Sequence, residues 1–251
     1  MSESQPESLS GRTFRNRSLR ETKFIGCDLS GVVVRGSDVA GMEIDSPWLL
    51  EEEGGRLLVN GVDIVPLVDA ELNRRFPGRE SRTAADPEGL RSAWAAVEAT
   101  WAATLGRAAA MPPGTVDATV DGEWSLAQTL RHLVHATDTW LGKAILEREQ
   151  PYHPVGLPYD DHDTEAGEES AVTADVPSFD QVLEARAGRQ KMVRDLLADL
   201  AREDLAAPRS NPHAPDRRET VLSCLRTILE EEWEHHRYAV RDLDTLAARP
   251  D

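Results

Sequence analysis

The amino-acid sequence predicts a mainly α-helical protein: an antiparallel four-helix bundle preceded by a short β-coil and a β-hairpin. Three observations lead to this fold class. Four long segments after residue 85 carry helical patterns, the first fifty residues repeat an apolar residue every five positions, and Asn60-Gly61 separates two apolar runs. We therefore divide the chain into residues 1–50, a β-segment; residues 51–85, a hairpin, a short helix and a linker; and residues 86–251, the bundle.

Three of the four bundle helices begin at a recognisable capping signal. The first starts at Asp86-Pro87 and extends to about residue 110, because proline is favoured at the first helical position. Ser125-x-x-Gln128 and Ser178-x-x-Gln181 are capping boxes for the second and third helices, which extend to about residues 147 and 200. The fourth covers about residues 219–248. Long helices joined by loops pack by default as an antiparallel bundle.

Two connections are interpreted from composition. Residues 77–86 read as a linker, because Pro77-Gly78 ends the short helix that Pro66 opens. Residues 149–177 are long and acidic, which is typical of a lid or a disordered loop.

The first fifty residues carry a large apolar side chain at every fifth position. An α-helix would scatter this spacing around its axis, and a flat strand would alternate it between faces. A square-sectioned β-coil with one repeat per side turns every fifth side chain inward; the alternative is an irregular β-segment with accidental spacing. The positions are Leu9, Phe14, Leu19, Phe24, Leu29, Val34, Val39, Ile44 and Leu49.

This segment resembles the pentapeptide-repeat family, whose central position is Leu or Phe. The small residue that the family has two positions earlier is represented by Cys27, Val32 and Ser37 but replaced by Arg12 and Arg17. The segment supplies only about two coils, which need a neighbouring surface because each unit buries its face against the next. Its nearly neutral charge argues against imitation of DNA.

The whole chain is strongly acidic, with 28 basic against 45 acidic side chains and a formal net charge of −17. A polyanion would be repelled over most of this surface, so we expect no nucleic-acid partner. No run approaches the roughly 18 apolar residues of a membrane span, and the polar N-terminus lacks a secretory layout, so we expect no membrane partner. Cys27 and Cys224 suggest no disulfide framework, which fits a cytoplasmic location.

The fourth predicted helix carries two ionisable residues on its apolar face. The 3–4 spacing of the apolar stripe, continued through its gap, reaches Glu232 and His236. A buried carboxylate requires compensation, either by a divalent cation bound to both groups or by a neutral or ion-paired network, for example with an arginine of another helix. The spacing leaves both open. The apolar residues of the stripe are Leu222, Leu225, Leu229, Ala239, Leu243 and Leu246.

Two motifs in the bundle resemble the DinB/YfiT-like proteins, a family of metal-binding four-helix bundles. Trp124-Ser-Leu-Ala-Gln-Thr-Leu-Arg-His132-Leu looks like the second-helix motif of the family, and Glu232-Trp-Glu-His-His236-Arg looks like its fourth-helix motif. The resemblance covers roughly residues 87–248. It implies a metal held by His132, Glu232 and His236, with Glu232 where the family usually has histidine.

The resemblance also limits the metal. A set of two histidines and one carboxylate binds zinc, nickel, iron or manganese, and zinc is the default because the set leaves an open position and needs no redox chemistry. A second metal site is a remoter alternative in the 149–177 loop, where ligand types cluster at His153, Asp160, Asp161, His162 and Asp163.

Neighbouring histidines have plainer interpretations. By helical geometry alone, His132 lies about 120° from the centre of the apolar stripe of the second helix and reads as a boundary residue. His235 follows Glu231 by four residues, which fits a surface pair. His135 points away from the stripe, toward solvent.

The predicted site supports two chemistries at the open metal position. The resemblance implies transfer or isomerisation of a small-molecule substrate with a low-molecular-weight thiol that binds as a metal thiolate. The alternative is hydrolysis by a metal-bound water, with Glu231 or an acid of the 149–177 loop as the candidate base. A third hypothesis is a non-catalytic, metal-stabilised binding module, in which the repeat segment mediates homodimerisation or another contact.

Overall fold

The computed structural model describes residues 8–50, 55–158 and 176–249. The described residues contain five α-helices: α1 Val65–Arg75, α2 Pro87–Ala109, α3 Leu126–Thr137, α4 Phe179–Asp199 and α5 Val221–Ala247. They also contain four short strands: β1 Leu58–Val59, β2 Val62–Asp63, β3 Pro208–Ser210 and β4 Arg218–Thr220. Single 3₁₀ turns occupy Pro47–Leu50, Arg79–Thr83, Thr115–Asp117 and Glu203–Ala206.

The helices α2 to α5 form a helical bundle, in which α2 and α3 each pack against both α4 and α5. The predicted start signals are present. Asp86 accepts hydrogen bonds from the first turn of α2, and complete capping boxes at Ser125 and Ser178 begin α3 and α4. A third capping box at Thr220 begins α5. Side chains that satisfy the free N–H groups of the first turn account for these boundaries.

A large apolar core fills the bundle. Trp101 of α2 and Trp233 of α5 are fully buried within it, together with aliphatic side chains from all four helices. The largest buried aliphatic members are Leu90, Val97, Leu130, Leu133, Val134, Leu141, Val182 and Leu243.

The sequence predicts one continuous second bundle helix to about residue 147. In the structure its α-helical part ends at Thr137. After α3 the chain continues as a π-helical turn over Asp138–Ile145. The wider turn is closed by bonds such as the one from Leu146 N to Leu141 O, five residues back, at 2.9 Å. This turn changes the direction of the side chains that follow residue 137, and it places the carboxylate of Asp138 in the protein interior.

The segment that the sequence predicts as a linker, residues 77–86, packs into the bundle. Its 3₁₀ turn contacts α2 and α5, and both of its arginines are buried. Arg79 and Arg82 each lie 2.8 Å from the carboxylate of Asp69 in α1, and Arg82 also lies 2.8 Å from Glu230 in α5. Four charged side chains thus fasten α1 to the bundle, a role that composition alone does not reveal.

Both hairpins are antiparallel and small. The hairpin predicted at Asn60-Gly61 is confirmed: β1 pairs with β2, and both turn residues have positive φ, 51° and 83°. A second hairpin pairs β3 with β4 over residues 208–220. Its turn is stabilised by Asn211, whose side-chain oxygen accepts hydrogen bonds from the next backbone N–H groups.

The N-terminal unit, Met1–Asp45, is separate in its contacts from the unit Ser46–Asp251. Its backbone repeats every five residues, with positive φ at Gly11, Asn16, Glu21, Gly26, Gly31, Gly36 and Gly41. A closed β-coil is not shown, because none of residues 8–45 is in a strand. The apolar side chains at every fifth position from Leu9 to Ile44 are 48–59% exposed.

Within the described residues, no helix combines the length and the apolar character required to cross a membrane.

Candidate metal centre

One cluster of metal-ligand side chains stands out on the flank between α3 and α5. His132, Glu231 and His235 each offer one ligand atom, and these atoms all lie within 4.8 Å of one another. The Nε2 atom of His132 and the Nδ1 atom of His235 are each 3.4 Å from Oε2 of Glu231. In the part of the chain that the structure describes, no other group of three such residues meets this geometry.

Helix geometry brings the three side chains together. Glu231 and His235 are one turn apart, so both project from the same side of α5. His132 projects from α3 toward them, and the two imidazole rings stack with their centroids 4.6 Å apart. The carboxylate therefore lies beside two stacked imidazoles that come from different helices.

Backbone hydrogen bonds define the orientation of both imidazoles. Nδ1 of His132 is 3.1 Å from the carbonyl oxygen of Leu157, and Nδ1 of His235 is 2.9 Å from the carbonyl oxygen of Glu231. A carbonyl oxygen only accepts, so each Nδ1 must carry the proton and donate it. Nε2 is then the nitrogen of each ring that would ligate a metal, and in His132 it lies 3.4 Å from Oε2 of Glu231.

The electrostatic environment favours a neutral His235 imidazole beside a charged Glu231 carboxylate. Burial, together with the neighbouring His132, lowers the pKa of His235 to about 4. Burial raises the pKa of Glu231, but its contacts with His132 and His235 outweigh that effect and hold the pKa below its ordinary value. At neutral pH Glu231 and His235 therefore have the protonation states that a divalent cation requires.

Aromatic side chains enclose the cluster. The ring of Trp124 lies 4.9 Å from that of His132 and 6.3 Å from that of His235, measured between centroids. Tyr238 meets the ring of His235 edge-on at 6.0 Å. Such walls limit the access of water to the imidazoles and hold their planes in place.

The expectation that His135 faces solvent is wrong. Its side chain is buried, and its ring stacks on that of Tyr152 with centroids 5.0 Å apart. Burial lowers the pKa of His135 to about 4, with a further contribution from the nearby His132. The covering residue belongs to the segment after the π turn, whose position the helical pattern of α3 does not indicate.

The structure places the other two predicted ligands elsewhere. Glu232 is 1% exposed and bonds through Oε2 to Nη2 of Arg186 in α4. His236 is hydrogen-bonded through Nε2 to the hydroxyl of Thr104 at 2.8 Å, and its ring meets Trp101 edge-on. Of the predicted set, only His132 belongs to the cluster.

The difference is a shift of one residue along α5. The apolar stripe correctly marks Glu232 and His236 as core positions, since both are buried. The cluster lies on the neighbouring flank, about 100° further round the helix, where Glu231 and His235 project. One signal in the sequence points there: His132 is itself off the stripe of its own helix, so its partners on α5 should be off the stripe as well.

The core position of Glu232 matches the second alternative that the sequence leaves open, an ion pair with an arginine of another helix. Burial raises the pKa of the Glu232 carboxyl, and the Arg186 guanidinium opposes that rise. Both side chains are almost fully buried. Each charge is therefore tolerated in the core only because the other is present.

Comparison with known proteins gives one match. A family model described as the DinB superfamily matches residues 96–239, which is more than half of the chain. No curated protein and no solved structure matches significantly. The matched region includes all three residues of the cluster.

We predict that Arg186→Met lowers the free energy of unfolding by about 3–5 kcal/mol, because it leaves the Glu232 carboxylate buried without a counter-charge. Replacing both partners, as in Arg186→Met with Glu232→Leu, should recover most of the loss. Urea denaturation followed by circular dichroism measures both variants.

The matched control is Arg194→Met on the same helix, which removes a more exposed ion pair with Glu98. It should cost less than about 1 kcal/mol. A loss for Arg186→Met as small as that of the control would show that the buried pair is not important for stability.

Proposed function

We propose that this chain, which belongs to the DinB superfamily, is an enzyme that holds a divalent metal at His132, Glu231 and His235 and uses it to activate a low-molecular-weight thiol. The observation that carries the proposal is the convergence of one carboxylate with two imidazoles whose Nδ1 atoms are committed to backbone carbonyls. Three protein ligands leave a coordination position open for a substrate or co-substrate.

The partners of the buried carboxylates support a cation at this position. Glu232, Asp138 and Glu234 are each paired with the guanidinium of an arginine. Among the described residues, Glu231 instead contacts the imidazoles of His132 and His235. The His235 imidazole is neutral at physiological pH. A partly buried carboxylate that contacts imidazoles rather than a guanidinium has less compensating positive charge, and a divalent metal would supply it.

Zinc is the metal we propose, with nickel, iron and manganese as alternatives. Two imidazoles and one carboxylate form a donor set that zinc accepts, and zinc tolerates the tetrahedral arrangement that one further ligand would complete. His235 is neutral at physiological pH, so metal binding does not require it to lose a proton.

Charge balance favours a thiol as the fourth ligand. A divalent metal with two neutral imidazoles and one carboxylate carries a net charge of one unit, which a thiolate would neutralise. A metal ion deprotonates a coordinating thiol and so supplies a nucleophile at neutral pH. Burial of the neutral assembly behind Trp124 is less costly than burial of a charged one.

The hydrolytic alternative loses one of its candidate bases. Glu231 lies within the cluster as a prospective ligand, so its carboxylate is not available to remove a proton from a metal-bound water. Hydrolysis would require another base. The geometry therefore favours thiol chemistry of the transferase or isomerase type on a small-molecule substrate.

A non-catalytic interaction module remains the second candidate, and one observation favours it. The N-terminal unit presents apolar side chains, half exposed, at every fifth position. In this hypothesis the segment acts as a short pentapeptide-type repeat that completes its core against a second copy of the chain, and the metal only stabilises the bundle. Removal of the metal would then leave self-association unchanged.

We predict that Glu231→Gln weakens zinc binding by about 100-fold or more, beyond the 10–100-fold that is typical for loss of an outer hydrogen bond. His235→Ala should have a similar effect. Competition with a chromophoric chelator measures the affinity, on protein purified without a histidine tag.

The matched control is Glu232→Gln, the same substitution one residue later. It should destabilise the protein yet keep zinc affinity within a few-fold of the wild type. The reverse pattern, with Glu232→Gln losing zinc and Glu231→Gln keeping it, would contradict the proposed ligand set.

We further predict that the cobalt-substituted protein develops a thiolate-to-metal charge-transfer band in the near ultraviolet when glutathione or cysteine is added. S-methylglutathione, which cannot form a thiolate, is the control ligand and should leave the spectrum unchanged. Absence of the band with both thiols at saturating cobalt would contradict the thiol chemistry while leaving the metal site intact.

A further inference from the structure

We propose that residues 151–157 form a strap that positions His132 for metal binding, and that Asp138 and Gly142 are the positioning residues that hold this strap against the helix. The inference rests on the proposed metal site, and it identifies the part of the chain that determines how well His132 can serve it. The strap follows the π turn and lies against the outer side of α3 and of that turn.

The end of the strap is bonded to α3 at His132. The carbonyl oxygen of Leu157 accepts the hydrogen bond from Nδ1 of His132 at 3.1 Å. The backbone N–H of Leu157 donates to the carbonyl oxygen of Arg131 at 3.2 Å, and Nε of Arg131 donates to the carbonyl oxygen of Val155 at 2.9 Å. Three hydrogen bonds therefore join this end of the strap to two consecutive helical residues, one of which is the ligand.

The beginning of the strap is held by Asp138. This side chain is completely buried, and its Oδ2 accepts a hydrogen bond from the backbone N–H of His153 at 2.8 Å. Its charge is balanced by Arg189 of α4, whose Nε and Nη2 donate to the two carboxylate oxygens at 2.8 and 3.1 Å. Burial raises the pKa of Asp138, and the bonds from Arg189 and His153 oppose the rise. A buried ion pair thus serves as the anchor of the strap.

Two glycines allow the strap to approach the helix closely. A Cβ atom at Gly142 would lie 2.9 Å from Cβ of Pro151, a distance that requires one of them to move. A Cβ atom at Gly156 would lie 3.1 Å from the carbonyl oxygen of His153 and 3.4 Å from Cβ of His135. The π turn carries Asp138 and Gly142 one turn apart, so both meet the first half of the strap.

The strap therefore determines which nitrogen of His132 carries the proton. With Leu157 in place, Nδ1 donates to its carbonyl oxygen and Nε2 is the nitrogen that faces Glu231. Without it, the ring could rotate and exchange the proton between its two nitrogens. Outer hydrogen bonds of this kind typically change metal affinity by about 10–100-fold.

The test uses Gly142→Ala, which fills the space that Pro151 occupies. In a helix, Gly→Ala usually stabilises, so displacement of the strap is the specific effect expected here. The matched control is Gly188→Ala in α4, where a Cβ atom would meet nothing within 4 Å. Asp138→Asn is a second variant of unchanged volume, which removes the charge that Arg189 balances.

Two readouts separate this inference from the proposed function. In the metal-free protein, imidazole ¹⁵N spectra should show His132 with its proton on Nδ1, and Gly142→Ala and Asp138→Asn should lose this signature while Gly188→Ala keeps it. In chelator competition, zinc affinity should fall by about 10–100-fold in the first two variants and stay unchanged in the control.

Wild-type protein that binds no zinc would refute the metal site, while the tautomer spectra would still test the strap. If Gly142→Ala and Asp138→Asn fold as judged by circular dichroism, yet keep both the Nδ1–H tautomer and wild-type zinc affinity, the strap does not position His132. If one of these two variants does not fold, the other is used alone. The proposal is overturned if that variant has the same His132 tautomer and the same zinc affinity as the Gly188→Ala control.

Discussion

The candidate site depends on one contact: the Glu231 carboxylate meets two imidazoles on the flank between α3 and α5. Two helices must keep a fixed rotation about their own axes for His132 to meet it, because a change of one residue on α5 turns the side chain by about 100°. The core supports that rotation on the other side of α5, where Glu232 pairs with Arg186 and His236 bonds to Thr104.

This arrangement divides α5 into two polar faces with different roles. Glu232 and His236 face inward, where their partners satisfy them and specify how α2, α4 and α5 fit together. Glu231 and His235 face α3, where they remain available to an ion. Six consecutive residues, 231–236, thus contain both a structural ion pair and two residues of the candidate site.

Local features of the fold were predictable from the sequence, and long-range features were not. The capping boxes at Ser125 and Ser178 and the turn at Asn60-Gly61 involve residues within a few positions of one another, so the pattern alone is sufficient. The apolar stripe of α5 correctly indicates which face of the helix is buried. It does not indicate which residues of α3 and α4 contact that helix. His135 is covered by Tyr152, which lies 17 positions later in the chain, and a helical period cannot reveal that contact. The five-residue period of the N-terminal unit is visible in its backbone, but how its apolar side chains are covered is not a local property.

Anomalous diffraction at the zinc absorption edge, from crystals of the zinc-loaded protein, tests the central claim most directly. The account predicts one strong peak at about 2.0–2.2 Å from Nε2 of His132, Nε2 of His235 and a carboxylate oxygen of Glu231. A peak beside Glu232 and His236, or no peak at saturating zinc, would contradict it.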